Sequence, residues 1–270
     1  MSGIILGTGL AYTDLSTLNF QRSTFILALC TTLSLQILSN LCNELGDAQK
    51  GTDADQQQRA AYGLQAGTIT VAQMKRMIAL FIALSVLFGT ALVWTAFGTL
   101  FSLQSLVFLG LGALAIIGAI TYTLGRHSYG YIGLGDLGVF LFFGLLSTMG
   151  AYWLQTQTLT PEVTLAAVAI GLPCVGVLNL NNIRDMQNDR LHGKRTFACL
   201  LGSVGGRIYH TLLLVGCLAI FVGLGHWWPL LIAPVWAWHL WFVWSHTDRL
   251  DIQMPVLMFT TLIVSVLACF

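Results

Sequence analysis

The sequence predicts an all-helical protein that crosses a membrane several times. Three observations carry that prediction. Only 9% of the 270 residues are charged while 56% are hydrophobic, the mean hydropathy is +0.78, and apolar runs of about 20 residues, long enough to span a hydrocarbon core of about 30 Å as a helix, recur along the chain. Soluble domains carry about 25% charged residues. An ordinary soluble enzyme, a disordered chain, a coiled coil and a disulfide-built scaffold are therefore excluded. A backbone inside lipid must satisfy its own hydrogen bonds, so runs of this length are read as helices.

Taken in order, Ile4 to Tyr12 is apolar over only nine residues, about 14 Å of helix. It is expected to be the last part of a helix that begins upstream of Met1, since neither a basic start nor a cleavage site marks it as a secretory leader. Full spans are expected at Phe20 to Cys42, Arg76 to Gly98, Leu100 to Tyr122, Tyr131 to Leu154, Val163 to Ile183, Tyr209 to Gly225, Trp227 to Ser245 and Gln253 to Phe270. That gives about nine transmembrane helices, the first incomplete, in a single domain over residues 1–270. Trp227, Trp228, Trp236, Trp238, Trp241 and Trp244 read as interfacial anchors and packing residues. The six cysteines are scattered, without a C-x-x-C pair, and most read as small core residues.

Polar loops interrupt the pattern at about 43–75 and about 184–208. Loops separated by two spans share a side of the membrane, and one side collects Lys50, Arg59, Lys75, Arg76, Arg126, Arg184, Arg190, Lys194, Arg195, Arg207 and Arg249, leaving Arg22 opposite. The positive-inside rule makes the first side cytoplasmic. The formal net charge of +1 hides this segregation and by itself says nothing about nucleic acid; the expected partners are a lipid bilayer and no nucleic acid.

Two of these cytoplasmic stretches carry acids in register. If the second span continues as a helix, Asn40, Asn43 and Asp47 share a face by i, i+3 and i+4 spacing. After the sixth, Asn181, Asp185 and Asp189 form an i, i+4, i+8 row. Both segments read Asn-x-x-x-Asp followed by a Lys-Gly or Gly-Lys pair, a weak internal repeat. Carboxylates at a membrane mouth are costly and need a reason. Rows flanked by Lys and Arg suit a diphosphate carried with Mg²⁺, an ion that takes a few carboxylates and fills its shell with phosphate oxygens and water. The metal draws electron density from the leaving diphosphate while basic residues hold its outer oxygens. The alternative, solvated loops that only set topology, fits one such loop better than two matched ones.

At Asn43-Glu44-x-x-Asp47 and Asp185-x-x-x-Asp189 the sequence resembles the UbiA-type intramembrane prenyltransferases. Within that superfamily the stretches LQILSNLCNELGDAQKGTD, AITYTLGRHSYGYIGLGD and VLNLNNIRDMQNDRLHGKRT are most similar to the branch that uses 1,4-dihydroxy-2-naphthoate in menaquinone biosynthesis. The resemblance runs from about Gly3 to the C-terminus. It implies nine helices around a cavity open to lipid, in a bacterial cytoplasmic (inner) membrane, with the two polar loops as a cytoplasmic cap over the diphosphate. It implies Mg²⁺-assisted loss of diphosphate from a polyprenyl diphosphate, attack of the naphthoate ring on the allylic cation, and loss of the carboxylate as CO₂ to give demethylmenaquinone. The residues carried over are Asn43, Asp47, Asp53, Asp185 and Asp189 for the metal, with Tyr122 and Asp136 beside the reacting atoms. Asn40, Lys50, Arg59, Arg126, Tyr129, Asn181, Arg184 and Lys194 are assigned to the substrates.

Tyr122, Tyr129 and Tyr131 either shield the cation through their ring faces or sit as interfacial tyrosines. The glycines of Tyr129-Gly130-Tyr131-Ile132-Gly133-Leu134-Gly135 allow tight turns or close approach of a substrate. Asp136, at the start of an apolar span, reads as a site residue rather than a helix cap. His127 fits an acid/base group or a solvated loop residue equally. Arg126, the one strong cation in that loop, is expected to pair with the acceptor carboxylate or to set topology.

Three departures stand out: the family's Arg-Pro entry is absent, Glu44 replaces the usual Asp, and Tyr62 to Gly67 lacks the arginine that close relatives carry, leaving Arg59 or Lys75 to substitute. The nearest rival is a superfamily member with 4-hydroxybenzoate, homogentisate or haem as acceptor. A cation-coupled transporter is disfavoured because its acids are expected at mid-span, and a lipid phosphatidyltransferase because its Asp-Gly-x-x-Ala-Arg run is missing.

Overall fold

The computed structural model describes residues 1–15, 20–52, 63–126, 128–246 and 249–270, and these residues form helices and no strand. In chain order the helices are α1 (Ser2–Asp14), α2 (Arg22–Lys50), α3 (Val71–Phe97) and α4 (Leu103–Thr121), then α5 (Gly135–Thr156). They continue as α6 (Pro161–Leu191), α7 (Phe197–Gly223), α8 (Ala233–Ser245) and α9 (Gln253–Leu267). Single 3₁₀ turns at Tyr129–Ile132, Trp228–Ile232 and Leu250–Ile252 precede α5, α8 and α9.

Local chemistry sets many of the boundaries. Thr70 caps α3 by accepting from the Gln73 amide while the Gln73 side chain reaches back, a reciprocal box. Ser102, Thr160 and Thr196 accept from the third residue onward in α4, α6 and α7, and Pro161 fills the first helical position, where a missing N–H costs nothing.

Seven helical stretches among the described residues are long and apolar enough to cross a membrane: α2 to α7, and Leu250–Leu267 leading into α9. Helix α1 has 13 residues and extends past both ends of the nine-residue apolar run. The span expected at Trp227 to Ser245 is a five-residue 3₁₀ turn that runs directly into a 13-residue helix, and it is not among those seven. Pro229 and Pro234 each open one of these elements, and neither can donate a backbone hydrogen bond to a helix running through it. Five of the tryptophans here are exposed while Trp236 is buried, with its Nε1 donating to Thr260 Oγ1 at 2.8 Å.

The polar stretches expected as loops are also partly helical: residues 43–50 complete α2, 71–75 open α3, 184–191 complete α6, and 197–208 belong to α7. Helices of 29 and 31 residues run about 43 and 46 Å, well beyond a hydrocarbon core of about 30 Å. The excess in α2 and α6 carries the acidic rows beyond the apolar layer.

Helix α6 is the most enclosed of the spans, packing on α7 along its length and on α5, α9 and α1. Leu6, Tyr152, Ile170, Leu214, Phe221 and Leu257 join these helices in one buried cluster, while α2 lies against α3 and α4. Between α7, α8 and α9 runs a fully buried polar chain: His210 Nε2 and His239 Nε2 are 2.9 Å apart, and His239 Nδ1 lies 2.8 Å from Gln253 Oε1. Alternation of direction brings the C-terminal ends of α2, α4, α6 and α8 together with the starts of α3, α5, α7 and α9. At the opposite end the ties are Tyr152 to Asp14 at 2.7 Å, Gln155 to Gln21, and His226 to Glu162 at 3.3 Å.

Candidate active site

The mouth where these ends meet is built around Tyr131. Its hydroxyl donates to Asp47 Oδ1 at 2.7 Å and lies 2.6 Å from Thr52 Oγ1. The Lys50 ammonium sits 3.7 Å from the centre of its ring and the Lys194 ammonium 5.3 Å. Lys50 Nζ also donates to the Thr123 carbonyl at 2.8 Å and to Ser128 Oγ. The end of α6 and the connection after it close on the same group: Asn188 Nδ2 donates to the Thr52 carbonyl at 2.6 Å, and the Arg195 amide to the Tyr131 carbonyl at 2.9 Å.

Lys194 bridges the acidic rows, 3.9 Å from Asp47 Oδ2 and 3.7 Å from Asp189 Oδ1. Burial works to lower the Lys194 ammonium, but Asp47 and Asp189 outweigh it and hold it above the ordinary lysine value, so it stays charged. Burial, followed by the Asp47 charge, holds the Tyr131 hydroxyl above its usual value, which keeps it a donor. Two carboxylates from helices far apart in sequence thus face one ammonium in a half-closed mouth, the charge pattern of a site that takes cations and anions together.

The second row is organised differently. Arg184 grips its neighbour Asp185 with two parallel bonds, Nε to Oδ1 at 2.7 Å and Nη2 to Oδ2 at 2.6 Å. Its Nη1 donates to Asp251, on the turn before α9, and approaches Met254 Sδ at 3.5 Å. Arg184, expected to bind substrate, is held between two carboxylates.

In the third connection, Tyr122 and Tyr129 meet edge to face at 5.2 Å, and Tyr129 donates to the Gly118 carbonyl at 3.0 Å. The glycines of this loop admit the tyrosines: a Cβ at Gly130 would lie 2.7 Å from the Tyr122 carbonyl oxygen, and one at Gly138 would lie 2.8 Å from the Tyr129 ring. Asp136 is buried at the second position of α5, two residues past its cap Leu134, and its Oδ2 has no hydrogen-bond partner among the described residues. It therefore sits inside the helix rather than at its cap, near Tyr209 of α7. Arg126 is exposed and has no hydrogen bond or ion pair among the described residues.

Oxygen donors for a divalent cation are present. Asn43 Oδ1 and Asp189 Oδ2 are buried with no hydrogen-bond partner among the described residues, an arrangement that costs free energy unless something fills it. No three His, Cys, Asp or Glu side chains among the described residues converge on one point. The donor set fits an ion that arrives with phosphate and water oxygens and needs only one or two carboxylates from the protein.

The structure therefore brings Asp47, Lys50 and Lys194 of the expected residues around Tyr131, with Asp189 beside Lys194. Asn43 and Asn181 are half-buried, Asn40 is exposed, and Asp53, Arg59 and His127 lie outside the described residues. The Tyr131 ring, offered as a shield for a cation, already carries Lys50. Sequence reasoning missed Thr52, Thr123, Ser128, Asn188, Tyr209 and Asp251, of which only Asn188 lies within an acidic motif. The close approach that seats Lys50 is at Gly46, where a Cβ would lie 2.7 Å from Thr123 Cβ and 2.8 Å from its carbonyl carbon. Gly46→Ala is expected to cost about 1–3 kcal/mol through overpacking and to reduce activity by parting Lys50 from Thr123. Thermal unfolding in detergent, read with activity on the same preparation, checks both effects.

Comparison with known proteins gives a consistent pattern. The UbiA prenyltransferase family model matches residues 1–265. The chain is 48% identical over 223 residues to the 1,4-dihydroxy-2-naphthoate octaprenyltransferase of Escherichia coli, covering 82% of this chain and 71% of that one. To the protein of the same description from Haemophilus influenzae it is 42% identical over 214 residues, covering 79% and 68%. The apo structure of a UbiA homolog from Aeropyrum pernix K1 superposes with a TM-score of 0.69 at 19% identity, covering 98% of this chain and 94% of that one; this likeness concerns the fold.

Proposed function

The chain belongs to the UbiA prenyltransferase family, and from that premise we propose that it transfers a polyprenyl group from polyprenyl diphosphate to 1,4-dihydroxy-2-naphthoate, with Mg²⁺ and with loss of the acceptor carboxylate. The observation that carries the reading is the pairing of Asp47 and Asp189 across the Lys194 ammonium, 3.9 and 3.7 Å away. Acids from two helices and a charged lysine between them match a diphosphate that travels with divalent cations. The relatives' names supply the acceptor class.

Mg²⁺, when bound, neutralises the diphosphate and makes it a better leaving group. Asp47, Asp189 and the Asn43 amide oxygen would hold it, with Asp53 and Asp185 completing the set implied by the acidic motifs. Lys194 and Lys50 hold the outer phosphate oxygens, and Tyr131 orients Asp47 through its hydroxyl. The carbon–oxygen bond of the prenyl diphosphate breaks, the electron pair leaves with diphosphate, and a ring carbon of the naphthoate forms the new carbon–carbon bond. The ring carboxylate departs as CO₂, leaving demethylmenaquinone in its quinol form. Tyr122 and Tyr129 wall the loop side of the mouth. Arg126, exposed on the same loop, is the cation available to the acceptor carboxylate. The acidic mouth faces the cytoplasm because ten of the described Lys and Arg residues lie at that end and Arg22 at the other.

Purified protein given Mg²⁺, a prenyl diphosphate and each acceptor separately is expected to prenylate 1,4-dihydroxy-2-naphthoate, to ignore 4-hydroxybenzoate and homogentisate, and to stop when EDTA is added. A preference for either other acceptor would overturn the assignment within the family.

A further inference from the structure

We propose that Asp251 is a positioning residue for prenyl diphosphate binding, acting through Arg184; the proposal rests on the function above. Arg184 is shared: its Nε and Nη2 edge is closed on Asp185, and its Nη1 end is held by Asp251. Were Asp185 its sole partner, the two would form a neutral, self-satisfied pair. A second carboxylate competes for the same guanidinium, so Asp251 weakens the hold of Asp185 while keeping the arginine at the mouth. When the diphosphate arrives, the Nε and Nη2 edge turns to its oxygens, for which the planar fork is suited, and Asp185 is released toward the cation.

Asp251 can do this because its backbone is fixed and its carboxylate is not enclosed. The residue before it, Leu250, is 1% exposed, and Gln253, two residues on, is fully buried at the end of the His210–His239–Gln253 chain. That chain pins the start of α9 to α7 and α8. The Asp251 side chain itself is 42% exposed, and Met254, one helical turn further on, supplies the sulfur that borders Arg184 Nη1. The acidic row on α6 is thus governed from a residue 67 positions downstream.

The test is binding of geranyl thiolodiphosphate with Mg²⁺, an unreactive donor analogue, measured without acceptor on wild type, Asp251→Asn, Asp251→Glu, Arg184→Ala and the double variant Arg184→Ala with Asp251→Asn. Melting temperatures in detergent check that each is folded. Asp251→Asn is expected to bind the analogue about tenfold more weakly, the size of one lost charge-assisted contact. KM for prenyl diphosphate rises in parallel while KM for the naphthoate is unchanged. Asp251→Glu restores both, and the Asp251→Asn effect disappears in the Arg184→Ala background. Unchanged binding, an equal rise in both KM values, or the same loss in the Arg184→Ala background would overturn the proposal. A wild-type protein that binds the analogue but prenylates no naphthoate overturns the function alone, and the binding comparison still decides the role of Asp251.

Discussion

Asp189→Asn is expected to lower turnover at least about a hundredfold, since a carboxylate that holds a catalytic metal contributes several kcal/mol of charge stabilisation. Asp189 Oδ2 has no hydrogen-bond partner among the described residues, and its other oxygen faces Lys194 at 3.7 Å. The substitution keeps the shape and one carbonyl oxygen but removes the charge that faces the lysine and would face the ion. Asp47→Asn is expected to act similarly, with an added loss because the Tyr131 hydroxyl at 2.7 Å then meets a weaker acceptor. Single-turnover rates at saturating substrate read the chemical step directly. Near-normal rates in both variants would rule out a metal held between the two motifs.

Lys194→Met is expected to act in opposite directions on the two ligands. The ammonium sits between Asp47 and Asp189, where under the proposed function it would compete with a divalent cation and recruit the diphosphate. With a neutral thioether in its place, Mn²⁺ used as a spectroscopic substitute for Mg²⁺ binds the substrate-free protein more tightly. The kcat/KM for prenyl diphosphate falls by about a hundredfold, as expected when one member of a buried charge cluster is removed. A lysine that only braces the fold would weaken both, so a parallel loss of Mn²⁺ and diphosphate affinity would exclude this role. Paramagnetic titration of the substrate-free protein, followed by steady-state kinetics, separates the two cases.

What the sequence made legible follows from short-range rules. The apolar runs located the long spans, and the i, i+4 spacing of Asp185 with Asp189 placed both on one face of α6. The Lys and Arg bias identified the end where the acids gather. What it left hidden depends on contacts across the fold. Asp251 is 67 residues from the arginine it holds and sits in no motif. The Tyr131 ring is covered by Lys50, a residue of another helix. The 3₁₀ start of the stretch leading into α8 is readable from Pro229 and Pro234, but the continuous hydrophobicity there outweighs them. The connections expected at about 43–75 and 184–208 are shorter in the structure because polar residues at the end of a spanning helix lower its hydropathy without ending it.

Under the proposed function this mouth uses a divalent cation to exchange the carboxylate of 1,4-dihydroxy-2-naphthoate for a prenyl group. The most direct measurement follows carboxyl-labelled 1,4-dihydroxy-2-naphthoate with prenyl diphosphate and purified protein, counting released CO₂ against prenylated product with and without Mg²⁺. The account predicts one CO₂ per prenyl group transferred, both dependent on Mg²⁺. Prenylated product that retains the label, or equal transfer after removal of divalent ions, would contradict it.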